Sequence, residues 1–323
     1  MNPAVVAAGG AVVAFGATAA LTRPLIDQLA ARQLGKAIRA EGPDHSAKAG
    51  TPTMGGLALL AVLFVLAVVL PRALPAAPPT GLGPVVAALV AFGLIGALDD
   101  WLGLARKGRA RELGVGLRAR HLVALQVAAA LGLALALAPR DGSAAAWGLM
   151  AVVALLGTVN GVNLSDGLDG LAAGLLALAF GGLAAILWPA GALAPAAWSL
   201  AAAGACLGFL VWNRHPARVF MGNVTSMALG GALATLALRH GAWPLLPIVG
   251  GVFVVEVLSD IVQVGAFKAT GGRRVLRCAP LHHHFEMGGW PETLVVRRFW
   301  SAGLVCAVLG VAIALTLGVG APR

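Results

Sequence analysis

Apolar runs of 16 to 24 residues, parted by short polar loops, make up most of this chain. An α-helix needs about 20 apolar residues to cross the hydrocarbon core of a bilayer. The pattern predicts an all-α, polytopic membrane protein. About ten spans are expected, at 3–22, 53–71, 83–98, 121–138, 147–164, 170–188, 197–212, 224–239, 244–267 and 299–319. Pro/Gly-rich stretches such as PRALPAAPPTGLGP join span ends. No internal repeat or soluble domain interrupts the series, so a single membrane domain over 1–323 is expected.

Composition agrees. Of 323 residues, 59% are hydrophobic and only 11% charged, with a mean hydropathy of +0.88, values outside the soluble range. The net charge of +10 would suit a nucleic-acid binder, but the charges are segregated between loops. The loops at 23–48, 106–120, 213–219 and 268–298 hold 19 of the 23 Lys and Arg residues, and the opposite side holds 4. Cytoplasmic loops carry such an excess, so both termini are expected outside the cytoplasm and no nucleic-acid partner is expected. Among 13 acidic residues, only Asp141 falls in an outer loop. The first apolar run precedes any positive charge and reads as an uncleaved span rather than a signal peptide. Cys206, Cys278 and Cys306 lack metal-ligand spacing and read as ordinary thiols. Asn163-Leu-Ser165 and Asn223-Val-Thr225 match the glycosylation triplet, but they fall on the inner side and carry no weight.

Five polar clusters break the apolar pattern, all at the inner face: EGPDHSAKAGTPTMGG, DDW, NGVNLSDGLDGLAAG, NRHPARVFMGNVTS, and EVLSDIVQ with APLHHHFEMGGWPE. Ionisable groups at membrane depth are costly and usually line a site or cavity. Asp99 and Asp100 are adjacent and diverge by about 100° on a helix, so one faces the cavity while the other caps or pairs. Asn160, Asn163, Asp166 and Asp169 repeat every three residues and would stripe one side of a helix, beside glycines that let a ligand approach. A simple cap or solvated helix end is the plain alternative for either group. Paired carboxylates near cations suggest Mg²⁺ with phosphates. His282, His283 and His284 are consecutive and cannot share a helix face, so contact with a phosphate or sugar fits better than zinc. Lys48 is a compact phosphate-binding charge. Phosphoryl transfer fits these groups best. A transporter is the rival reading, but it would more often show broken helices and polar groups near the midplane.

The stretches KAGTPTMGG (48–56), DDW (99–101), NGVNLSDGLDGLA (160–172), FMGNVTSMALGG (220–231) and APLHHHFEMGGWPE (279–292) carry a resemblance. They occur in order over nearly the full length, and FVVEVLSDIVQVGAFK adds a sixth match. The chain resembles the phospho-N-acetylmuramoyl-pentapeptide-transferase family; GTPTMGG and the triple His favour it over relatives that transfer N-acetylglucosamine phosphate. The resemblance implies ten helices in the bacterial cytoplasmic membrane. It also implies a Mg²⁺-dependent transfer from UDP-MurNAc-pentapeptide to undecaprenyl phosphate, giving lipid I and UMP. Asp166 and residue 223 would be metal ligands. Asp169 would help hold uridine, with Asn163 in support. Asp99, with Asp100 beside it, would act as base or positioning group for the lipid phosphate. Lys48 and Thr53 would line the nucleotide pocket, Phe220 would stack on uracil, and Asn213 and Gln263 would contact nucleotide or sugar. His282, His283 and His284 would contact phosphates or sugar. A homodimer is a further implication, and the surrounding lipid a constant partner.

Three positions depart from the family pattern. Asn223 stands where the family carries Asp, which removes a full charge from the implied metal site and predicts weaker Mg²⁺ binding. Gly103 stands in place of a Lys, with Lys107 one turn further on. Asp260 replaces an apolar residue, four residues from Glu256 on the same helix face. These departures keep two other readings open: an inactive paralogue that binds nucleotide or lipid, and a transferase of another UDP-sugar.

Overall fold

The computed structural model describes residues 2–32, 34–35, 43, 46–74, 81–105, 116–139 and 144–319. Lys107 lies outside them. Twelve α-helices and two short 3-10 turns, with no strand, account for the regular structure of the described residues. The helices are α1 (Pro3–Ala31), α2 (Leu57–Ala73), α3 (Gly83–Ala105), α4 (Ala119–Leu137), α5 (Ala144–Ser165) and α6 (Leu171–Leu187). They continue with α7 (Leu193–Asn213), α8 (Asn223–Arg239), α9 (Leu246–Val249), α10 (Gly251–Ala269), α11 (Leu281–Glu286) and α12 (Glu292–Leu317). Helix occupies all ten predicted segments. Six of the described helices are long and apolar enough to cross a membrane, or seven if a bent pair is one span; α2 and α6, at 17 residues, are shorter apolar helices. The chain is a multi-pass membrane protein.

The packing follows from side-chain size. α6, α7 and α8 are built largely of Ala, Gly and Leu and form the buried centre; every residue of α8 from Val224 to Leu238 is buried. Large apolar side chains point outwards instead: Leu135 on α4 is 78% exposed, and Val12 on α1 is 71% exposed. In lipid that exposure costs nothing, and helices associate through close packing of small residues. α1 lies along α7, where a Cβ on Gly204 or Gly208 would overlap the carbonyl oxygens of Ala11 or Phe15. Indole groups in this interior find backbone partners. Trp198 Nε1 donates to the Leu63 carbonyl at 3.1 Å, and Trp212 Nε1 donates to that of Ala19 at 2.7 Å.

The expected ninth span, 244–267, is not one continuous helix. Trp243–Val249 and Gly251–Ala269 meet at an angle of 79°. Two consecutive glycines, Gly250 and Gly251, follow Pro247 there, and such residues are a recognised cause of sharp kinks. Gly251 also lets the backbone close on α12, since a Cβ there would sit 2.8 Å from Cys306 Sγ. Beyond the bend, α10 exposes apolar side chains (Val255, Leu258, Val262, Phe267) and buries Glu256.

The alternation of helix directions brings the C-terminal ends of α3, α5 and α7 beside the N-terminal ends of α6, α8 and α12, as the hydrogen bonds described below record. The polar clusters of the sequence lie at this common end.

Candidate active site

Asp99 and Asp100, in the last turns of α3, diverge as expected. Asp100 caps α8 across the helix interface, its Oδ2 accepting from the Val224 backbone N–H at 3.0 Å. Asp99 faces the site. Its Oδ1 accepts from Leu117 N at 2.6 Å, and its Oδ2 accepts from Asn223 Nδ2 at 2.5 Å. Asn223 Oδ1 accepts in turn from Asn163 Nδ2 at 3.2 Å, and Asn163 also reaches Ser226 Oγ at 3.3 Å. Three helices thus bring Asp99, Asn163 and Asn223 into one hydrogen-bonded row. Close approach is essential: a Cβ on Gly96 would overlap the Asn223 carbonyl, and one on Gly116 would overlap the Asp99 carboxylate.

The stripe expected from Asn160 to Asp169 holds only in its first half. Asn160 and Asn163 lie on α5, and Asn160 Nδ2 donates to Gln126 Oε1 on α4 at 3.0 Å. α5 ends at Ser165, and a turn carries Asp166 to Gly170. Asp166 and Asp169 therefore do not share a helix face, contrary to the expectation from their spacing. Gly170, at φ 79°, takes the left-handed conformation that turns the chain into α6. The Asp166 backbone N–H donates to the Asn163 carbonyl at 3.2 Å, which ties the turn to the end of α5.

Asp169 is buried in an ion cluster drawn from four distant segments. Lys48 Nζ donates to Asp169 Oδ1 at 2.7 Å and to Glu292 Oε1 at 2.5 Å. His215 Nδ1 lies 3.1 Å from Asp169 Oδ2 and 3.4 Å from Glu292 Oε2. Backbone N–H groups complete the cluster: Ala217 donates to Asp169 Oδ2 at 3.0 Å, and Asp169 donates to Glu292 Oε1 at 2.7 Å. Asp169, His215 and Glu292 bring one ligand atom each within 4.8 Å of one another, a spacing that could hold a metal ion. The Lys48 ammonium already serves both carboxylates, so a metal there must compete with it. His215 and Glu292 are absent from the sequence-based set. Glu292 was within reach of sequence reasoning, as the acid that opens a helix after Pro291 in GGWPE; His215 gave no signal beyond its nearness to Asn213.

Several other expected substrate contacts are engaged within the protein. Asn213 is buried and ties two loops together, accepting from Gly170 N at 3.2 Å and donating to the Val219 carbonyl at 2.9 Å. Thr53 is buried, and its backbone N–H donates to the Leu34 carbonyl. Phe220 is half-buried; its backbone pairs with Pro52 and Gly55, which joins the loop before α8 to the loop before α2. Gln263 on α10 accepts from the N–H groups of Val275 and Leu276 and donates to the Leu276 carbonyl, fixing the following loop. The three consecutive histidines on α11 take different partners, although the His282 and His283 rings stay in contact, with centroids 4.1 Å apart. His282 Nδ1 is 3.0 Å from Glu256 Oε2 with both side chains fully buried, His283 Nδ1 is 2.7 Å from Glu286 Oε2, and His284 Nδ1 accepts from Arg277 N at 3.1 Å. Among the described residues, no hydrogen bond or ion pair joins Asp260 to these groups.

The donor set around Asp99, Asp100, Asn163 and Asn223 offers only side-chain oxygens as ligand atoms, which suits a hard divalent cation. The Asn223 amide also lets that residue sit against the Asp99 carboxylate without one. Together with the Lys48 cluster, one end of the helices presents fixed carboxylates, an ammonium and backbone donors, a set suited to binding a phosphorylated ligand.

Comparison with known proteins gives the family. Residues 82–241 match the model of Glycosyl transferase family 4. Residues 48–60 match the phospho-N-acetylmuramoyl-pentapeptide-transferase signature 1, the segment that carries Lys48. The enzyme of that name from Heliobacterium modesticaldum is 45% identical over 91% of this chain and 93% of its own length. Those from Geobacillus kaustophilus and Shouchella clausii are 42% and 41% identical, over 93% and 95% of this chain and 95% and 97% of theirs. The chain belongs to the phospho-N-acetylmuramoyl-pentapeptide-transferase family.

Proposed function

We propose that this protein transfers phospho-MurNAc-pentapeptide from UDP-MurNAc-pentapeptide to undecaprenyl phosphate, giving lipid I and UMP for peptidoglycan synthesis. A phosphate oxygen of the lipid bonds to the phosphorus that carries MurNAc, and the P–O bond to UMP breaks. The observation that carries this reading is the Asp99–Asn223–Asn163 row lying beside the Lys48–Asp169–Glu292 cluster at one end of the helices.

Each part has a task in that reaction. Asp99 orients the lipid phosphate and takes up any proton it holds; a phosphate mostly ionised at neutral pH needs no stronger base. Asp166 and Asn223 would supply oxygens to Mg²⁺, with Asp99 close by, and the ion's charge would offset that of the diphosphate. Lys48, Thr53, Asp169 and Phe220 receive the nucleotide, with Asn213 and Gln263 fixing the loops around it. His283 faces the same turn as a phosphate or sugar contact. Phosphoryl transfer rests on such positioning and charge neutralisation.

The surroundings follow the charge pattern. The protein is a single domain in the bacterial cytoplasmic membrane, with ten spans, both termini periplasmic and the site at the cytoplasmic face. There a soluble nucleotide meets a lipid-anchored phosphate, and basic loops attract both anionic substrates. A homodimer in the membrane is compatible with this arrangement.

Asn223 supports a second reading, a metal-impaired protein that binds nucleotide or lipid without turnover. UMP release by protein in lipid nanodiscs, with both substrates and a Mg²⁺ series, separates the two. UDP-GlcNAc in place of the muramoyl donor tests for a transferase of another sugar.

A further inference from the structure

Glu256 and His282 form a pair with no exposed surface, yet each keeps a buried polar atom without a partner: Glu256 Oε1 and His282 Nε2. Buried polar atoms are nearly always satisfied, so an exception calls for a reason. The Nε2 edge of His282 faces the turn between α5 and α6. A Cβ on Gly167 would sit 2.5 Å from Nε2, 3.1 Å from Cε1 of the same ring, and 3.5 Å from His283 Nε2. Gly167 does not take the left-handed conformation, so its missing side chain serves this approach and not a backbone requirement. The other end of the ring is fixed by the 3.0 Å contact between Nδ1 and Glu256, on a different helix.

We propose that Glu256 and His282 are positioning residues. Glu256 fixes the His282 ring, and the ring edge against Gly167 sets the placement of the Asp166–Asp169 turn toward the nucleotide. His282 thus acts through the turn without touching substrate, while its neighbour His283, 21% exposed, lies nearer the surface beside it. A carboxylate partner that holds one ring nitrogen settles both tautomer and orientation at the other. The same device couples the turn to α10, the helix beyond the bend. The inference rests on the transferase reading, since it takes this turn to hold the donor.

The experiment is a double-mutant cycle on Gly167→Ala and His282→Asn, with Glu256→Ala and Glu256→Gln beside it. The Asn amide keeps a donor for Glu256 in place of Nδ1 and removes the Nε2 edge. Gly167→Ala alone is expected to raise the KM for UDP-MurNAc-pentapeptide at least ~10-fold, and by less than ~3-fold in the His282→Asn background, as for residues in contact. Glu256→Ala is expected to raise the donor KM by a similar factor of ~10, and Glu256→Gln, which keeps an acceptor oxygen, to restore it within ~3-fold. The KM for undecaprenyl phosphate should stay unchanged in all four; a merely structural loss would lower kcat and leave both KM values alone. Equal effects of Gly167→Ala in both backgrounds would overturn the proposal. Thermal unfolding of the same cycle reads the contact without turnover. If the native chain releases no UMP, the functional reading fails by itself, and additive stability changes would still refute the contact.

Discussion

At the scale of single residues, Asn223 is the most informative departure. Its amide donates to Asp99 at 2.5 Å and accepts from Asn163; a carboxylate there could still accept from Asn163 but would meet Asp99 only with a cation or proton between. Asn223→Asp sets two carboxylates face to face. The variant should be less stable than the native chain in EDTA and should gain more on adding Mg²⁺, by ~1–2 kcal/mol, the scale of a ligand present well above its Kd. Thermal unfolding with and without Mg²⁺ checks this; equal gains for both proteins would mean that residue 223 does not face the metal. Lys48 offers a second test. Its ammonium serves two largely buried carboxylates, and removing one partner of a buried ion pair typically costs ~3–5 kcal/mol, less where water reaches the pair. Lys48→Ala should destabilise the protein and weaken donor binding, and adding Glu292→Gln should recover part of the stability by removing one of the stranded charges. Full additivity of the two changes in thermal unfolding would contradict the cluster.

At the scale of elements, the helices were legible in the apolar runs, and their ends were legible less well. Hydropathy marks where a chain can be buried in lipid, but not where it bends. The Gly250–Gly251 break lies inside an unbroken apolar run, and the end of α5 falls within a polar stripe whose spacing suits a helix. In the second case the left-handed Gly170 and the demands of the Asp169 ion cluster override local periodicity. The packing of α1 on α7 gives the prediction at this scale. Gly204→Leu or Gly208→Val would force the helices apart and should lower stability by at least ~2 kcal/mol, in the range for overpacked interiors. Gly181→Ala on α6, where a Cβ meets nothing within 4 Å, should be neutral or slightly stabilising. Thermal unfolding in one detergent compares all three, and a harmless Gly208→Val would show that the close approach is not needed.

At the scale of the whole molecule, the sequence placed five polar clusters on one face, and the structure brings most of their residues together there. What the sequence could not show is how the charges pair. Lys48, Asp169, His215 and Glu292 come from four segments, and no spacing rule relates them. Nor could it show that Asn213 and Gln263 serve as loop ties, because an amide that binds backbone and one that binds a ligand look alike in a motif. The account as a whole rests on one claim: that this face transfers a phospho-sugar between a nucleotide and a membrane lipid. The measurement that tests it most directly is UMP release by the native chain in nanodiscs, from UDP-MurNAc-pentapeptide, with and without undecaprenyl phosphate, across a Mg²⁺ series. The account predicts UMP only when donor, lipid and Mg²⁺ are all present. Donor binding without UMP at any Mg²⁺ concentration, with release appearing only in Asn223→Asp, would contradict it and leave a transferase fold with its metal site disabled.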